Sequence, residues 1–156
     1  MEIDTKTIDN CSDHINGEKM GRFAVEIKLT NSVDSSLAER GLMASDQVRQ
    51  VKIKGIVGVR AMRLVIPESV AKQLGAREVG ETKVRYADGR TATRKLVDDV
   101  MVDLLGRQGT FRAAVEPDRN SALIGAIVLE DLDFVVDCST QSLHPRDPNQ
   151  IISEIE

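Results

Sequence analysis

Apolar residues recur at every second position through most of the chain, the signature of half-buried strands. Phe23, Val25, Ile27 and Leu29 alternate with Arg22, Ala24, Glu26 and Lys28. Val51 and Ile53 alternate with Lys52 and Lys54 until Gly55 interrupts the strand, and the turn-rich run 31–36 between the two reads as a loop. Leu64, Val65 and Ile66 form a short buried-type strand that stops at Pro67. There the period changes. Val70 and Leu74 fall four apart, Pro67 suits a helix start and Gly75 its C-terminal stop, so a short helix is predicted. Val84 and Tyr86, the turn Ala87-Asp88-Gly89-Arg90 and the arm 91–97 read as a hairpin, for which Asp-Gly is a strong signal. Val100, Val102 and Leu104 make a further strand, and Gly106 to Gly109 turn it into a partner carrying Phe111, Ala113 and Val115. Pro117 to Asn120 is a turn, followed by the compact apolar strand Ala122, Leu123, Ile124 and Gly125 and a helical stretch through Leu129 and Leu132. Residues 134–137 and 141–144 read as a closing pair, and the end of the chain as an extra strand or an amphipathic turn. The sum is a mainly all-β domain with one or two short helices, most easily closed as a barrel.

Composition narrows the function. The chain has 156 residues, enough for one domain, with Lys+Arg 21 against Asp+Glu 25 and a net charge of -4. A mildly acidic surface argues against nucleic acid and membrane surfaces as partners, both of which attract basic faces. Phe23, Tyr86, Phe111 and Phe134 are too few for a base-stacking platform. Residues 1–19 are polar, lack an apolar signal-type core, and read as a flexible arm or an over-long translation start before Met20. Cys11 and Cys138, far apart in sequence, are expected to be reduced in a cytoplasmic protein. His14 and His144 have no second ligand at metal spacing, so neither a metal nor a cofactor is expected.

The order of elements resembles the single-lobe, retropepsin-like aspartic proteases of clan AA found in bacteria. MGRFAVEIKLTN is similar to that family's opening strand, and LVIPESVAKQLG to the segment after its catalytic motif. YADGR is similar to the flap tip over the substrate, ALIG to the segment packed behind the catalytic loop, and FVVDCSTQSLHP to the closing strands. The resemblance runs from about Met20 to Pro145. It implies an arm (1–19), a retropepsin-like closed barrel (20–145) and a C-terminal tail (146–156). It also implies a homodimer, with Tyr86, Ala87, Asp88 and Gly89 at the flap and cleft and Ala122, Leu123, Ile124 and Gly125 packing behind the site.

The family's chemistry needs an Asp-Thr/Ser-Gly triplet shortly before the LVIPE-like strand. Two such aspartates, one from each subunit, share a proton and act as base and acid on a bound water. Counting back from Leu64, the triplet falls on Gly58-Val59-Arg60. Gly58 has no acid, Val59 no bridging hydroxyl, and Arg60 puts a cation where a tight turn is needed. No other acid stands in: Asp88 suits turn chemistry, Asp98 and Asp99 should face opposite sides of a strand, Asp131 and Asp133 are expected in solvent, and Asp137 suits a cap. No serine or cysteine nucleophile has an obvious histidine base. Arg49, Lys52, Lys54, Arg60 and Arg63 lie in a stretch without acids, where Arg60 is a candidate to hold an anionic peptide. The resemblance with its broken triplet points to an inactive protease relative that binds a peptide or protein segment or serves assembly. The alternative is an aspartic-type endopeptidase active through another site or in a hetero-dimer with an active homologue.

Overall fold

The structure, a computed structural model, describes residues 22–58, 60–153 and 155. The arm 1–19, with Cys11 and His14, lies outside these residues, as does Val59. The first strands are β1 (Arg22–Asn31), β2 (Gln50–Gly58), β3 (Leu64–Pro67) and β4 (Arg77–Arg85). Then come β5 (Thr91–Leu104), β6 (Arg107–Glu116), β7 (Ala122–Ile124), β8 (Phe134–Asp137) and β9 (Ser142–Pro145). Three short helices connect them: α1 (Ser32–Glu39), α2 (Glu68–Leu74) and α3 (Ala126–Asp131).

Hydrogen bonding runs in the order β1-β2-β7-β3-β6-β5-β4, and β1 also pairs with β5 from Lys28↔Asp103 to Asn31↔Val100. That seam closes six strands into a barrel and leaves β4 attached through β5 alone. The alternating apolar positions point inward: Ile27, Leu29, Val57, Leu64, Ile66, Val100, Val102, Leu104 and Ile124 are at most 1% exposed. Each such side chain contributes about 1.5–3 kcal/mol by leaving water. β8 and β9 form a separate two-stranded sheet, seated on the same core through Phe134, Val136 and Leu143. No helix among the described residues is long and apolar enough to cross a membrane.

Several local expectations change. The run 31–36 is not a loop but the start of α1. Asn31 is its N-cap, accepting the Asp34 amide at 3.0 Å, so residues that suit turns here serve a helix start. Gly55 does not interrupt β2. It lies within the strand because a Cβ there would sit 2.7 Å from Ile124 Cδ1. The arms 91–97 and 100–104 are one strand with a bulge between Val97 and Val100, where Asp99 takes a left-handed φ of 63°. The described end of the chain beyond Pro145 forms neither strand nor helix. Cys138, half-buried against the core, is disulfide-bonded rather than reduced, since separation along the chain does not set separation in space.

The connection 31–49 is anchored rather than loose. Asp34 is buried and takes Arg49 in a bidentate pair, Nε at 2.8 Å and Nη2 at 3.1 Å. The Arg49 hydrogen bonds hold the Asp34 carboxyl below its usual range. Asn31 Nδ2 donates to the Leu74 carbonyl at 2.8 Å, tying the connection to the end of α2, where Gly75 takes the left-handed φ of 60° that a helix stop favours.

Candidate functional site

β2 ends at Gly58, whose carbonyl accepts the Ala61 amide at 3.0 Å and closes a turn. The carbonyls of Ala61 and Met62 accept the amides of Ala126 at 2.8 Å and Ile127 at 2.9 Å. A helix start carries amides with no partner inside the helix, and α3 spends two of them holding this loop. Gly125 makes the close approach possible. A Cβ there would lie 2.6 Å from Met62 C and O and 2.7 Å from Arg63 N. Leu123 reaches forward, its Cδ1 2.8 Å from where a Cβ on Gly58 would stand. The structure thus brings Leu123 and Gly125 against the loop beginning at Gly58, with Ala122 and Ile124 fully buried behind it. Arg60 is exposed, and among the described residues neither Arg60 nor Arg63 is paired with a carboxylate. Arg49, by contrast, belongs to Asp34 and not to this loop.

The β4–β5 hairpin turns through Ala87, Asp88 and Gly89. Tyr86 and Arg90 flank the turn, with Tyr86 N donating to Arg90 O at 2.8 Å and Gly89 at a φ of 88°. Asp88 Oδ1 accepts the Arg90 amide at 3.0 Å, which is the turn chemistry its sequence suggests. Tyr86 is half-buried and its hydroxyl turns inward, donating to Glu116 Oε1 at 2.7 Å and accepting from Arg94 Nε at 3.0 Å. Arg94 Nε also reaches Glu116 Oε1 at 2.9 Å. Burial, and after it the bond to Glu116, pushes the Tyr86 hydroxyl above its ordinary pKa. The contact with Glu116 raises Arg94 as well. This cluster ties the turn end of the hairpin to the end of β6, beside Pro67 of β3.

The remaining acids are placed as structure rather than as a dyad. The bulge turns Asp98 and Asp99 toward one cation, Arg77 Nη2, at 4.0 and 3.4 Å, so they do not face opposite sides as a regular strand requires. Asp98 also meets Arg112 at 3.3 Å, and the Asp99 amide is the main cause holding its carboxyl low. Asp131 is exposed as expected, but Asp133 is only 3% exposed, with Oδ1 2.7 Å from Arg146 Nε and Oδ2 unpartnered. It sits at a left-handed φ of 59° immediately before β8 and pairs with Arg146 from beyond β9, a partner that the helical spacing around Leu132 does not reveal. Asp137 caps its turn by accepting from Ser139 and Thr140, and the Ser139 hydroxyl is the main cause that lowers its pKa.

Sequence reasoning missed the Ser142 and His144 pair on β9, 3.0 Å apart from Oγ to Nε2, with Asp137 Oδ2 3.6 Å from the same Nε2. Serine and carboxylate contact one imidazole nitrogen, whereas a nucleophilic triad needs the carboxylate on the other to orient the ring. The cluster is a surface hydrogen-bond chain. Arg94 and Glu116 were missed for a different reason: they meet across β5 and β6 and share no local motif. Among the described residues, no group of His, Cys, Asp and Glu is gathered to hold a metal.

No protein-family model and no curated protein sequence matches the chain. Solved structures do. The EIAV protease complexed with the inhibitor HBY-793 superposes with a TM-score of 0.52 at 16% identity, covering 76% of this chain and 93% of that one. The simian foamy virus (mac) protease matches with a TM-score of 0.44 at 12% identity, over 69% of this chain and 91% of that one. The foamy viral protease-reverse transcriptase in complex with RNA/DNA hybrid matches with a TM-score of 0.43 at 18% identity, over 50% of this chain and 10% of that one. A barrel of six strands with an appended hairpin and few short helices, superposable on the EIAV protease along most of its length, is the retropepsin-like fold.

Proposed function

We propose that the chain is a catalytically inactive relative of the retropepsin-like aspartic proteases, retained as a peptide- or protein-binding or assembly module. One observation carries the reading: the loop that leaves β2 and is strapped down by Gly125 begins with Gly58 and carries Arg60, so the position for an acid–base carboxylate has none. Asp98, Asp99, Asp133 and Asp137 are each committed to arginines or turn amides elsewhere. Binding of an extended segment needs backbone hydrogen bonds and pockets rather than an aspartate dyad. A homodimer is part of the proposal, with Arg60 of each copy near the shared axis and in need of an anion or a displaced contact. Light scattering on the eluting protein measures that state.

The deciding experiment is peptide-library cleavage by the full chain from acidic to neutral pH. The expected result is no cleavage. Reproducible cleavage that disappears when a carboxylate is substituted overturns the reading in favour of an endopeptidase with another site. Cleavage gained only on mixing with an active homologue favours the hetero-dimer. A triple substitution, Gly58→Asp with Val59→Thr and Arg60→Gly, is expected to restore pepstatin-sensitive cleavage.

A further inference from the structure

Among the described residues, β4 is the strand that the barrel leaves half-paired: it bonds to β5 along one edge, and no strand takes the other. None of its nine residues is buried. An open edge presents a row of backbone amides and carbonyls to which another strand can add, and proteins commonly blunt it with lysines, proline or a bulge. β4 shifts register between Glu78 and Gly80, but from Gly80 to Arg85 it runs in regular pairing with β5 and contains no proline.

The charges on this stretch are of both signs. Glu81, Lys83 and Arg85 share one exposed face, and Gly80, Thr82 and Val84 share the other. Neither Glu81 nor Lys83 has an ion-pair partner among the described residues. Lys95 stands opposite Glu81 on β5 but reaches Glu78 instead, at 4.0 Å, and Lys83 stands opposite Thr93.

Symmetry limits how such an edge can meet itself. Two antiparallel copies of one strand are related by a two-fold axis perpendicular to the sheet. That axis keeps each side chain on its own face, so one residue falls opposite its own copy and every other contact occurs twice. Centring on Glu81 sets two carboxylates together, centring on Lys83 two ammonium groups, and centring on Val84 sets Lys83 against Arg85. Centring on Thr82 avoids all of these. It sets Thr82 against Thr82, Glu81 against Lys83 twice, and Val84 against Gly80 twice. A Cβ on Gly80 would meet nothing within 4 Å, so Val84 of the facing copy has room there. Opposite charges and threonine pairs across an antiparallel ladder stabilise it, and like charges do the reverse.

We propose that two copies of this chain pair antiparallel through their β4 edges, with Thr82 at the two-fold axis. The proposal rests on the homodimer in the reading above and names its contact. It supplies the displaced contact that two Arg60 side chains call for, since β4 is not a neighbour of β2, the strand that leads to Arg60.

The test is light scattering on the full chain from roughly 1 to roughly 300 µM, a range that covers weak, small interfaces. The wild type should pass from monomer to dimer as concentration rises. Glu81→Lys sets lysines against lysines, and Lys83→Glu sets carboxylates against carboxylates. Each alone should raise the dimer dissociation constant ~10-fold or more. An equimolar mixture of the two should dimerise like the wild type, because each variant then faces the opposite charge. Arg85→Gln, outside the facing stretch, should leave the dimer unchanged. If either charge variant unfolds, Thr82→Lys reads the same contact by placing two cations on the axis, and should be monomeric. A dimer indifferent to these charge changes, one that Arg85→Gln weakens, or a mixture of folded variants that stays monomeric overturns the β4 contact but not the homodimer. A wild type that is monomeric at every concentration overturns both, while the expected absence of cleavage is judged by its own assay.

Discussion

Gly58 and Gly125 meet across the same loop, yet the neighbours that a side chain would strike differ in kind. At Gly125 the obstacles are the backbone atoms of Met62 and Arg63, which cannot yield without moving the loop. At Gly58 the nearest obstacle is the methyl end of Leu123, a half-buried side chain that can rotate. Gly125→Ala is therefore expected to cost about 2–3 kcal/mol and Gly58→Ala under about 1 kcal/mol, read from urea unfolding midpoints. Equal costs would mean that the loop is not strapped by Gly125. Asp34 carries a second residue-scale prediction. Its folded pKa lies below the unfolded value of about 3.9, so its contribution is complete above that value and fades as pH falls through the folded one. Asp34→Asn should then lose about 2 kcal/mol at neutral pH, with the gap to wild type closing below about pH 4 in the same unfolding measurement.

Among the elements, the β4–β5 hairpin depends on the hydroxyl of its one tyrosine. Removing that hydroxyl leaves Arg94 and Glu116 still paired at 2.9 Å but cuts the link from the turn to the barrel. Tyr86→Phe should cost about 1 kcal/mol globally and speed amide exchange selectively at residues 82–94, relative to β6. Uniform acceleration across the barrel would place the effect in the core instead. The hairpin itself was legible, because Asp88-Gly89 between two alternating arms is local chemistry. So were α2, bracketed by Pro67 and Gly75, and the apolar strand 122–124. What the sequence hid depends on contacts between distant segments. Gly55 reads as a strand breaker until Ile124 is seen to need the space, and Asp98-Asp99 read as opposite-facing until the bulge turns both to Arg77. The helix α1 was hidden because Asn31 serves loops and N-caps equally well, and only the partners Asp34, Arg49 and Leu74 decide between them.

For the molecule as a whole, the barrel order was readable because five weak segments fall in one sequence, while the charges around Gly58 were not. The run from Arg49 to Arg63 looked like one cationic patch. Folding disperses it: Arg49 goes to Asp34, Lys52 and Lys54 to the outer face of β2, and Arg60 to solvent.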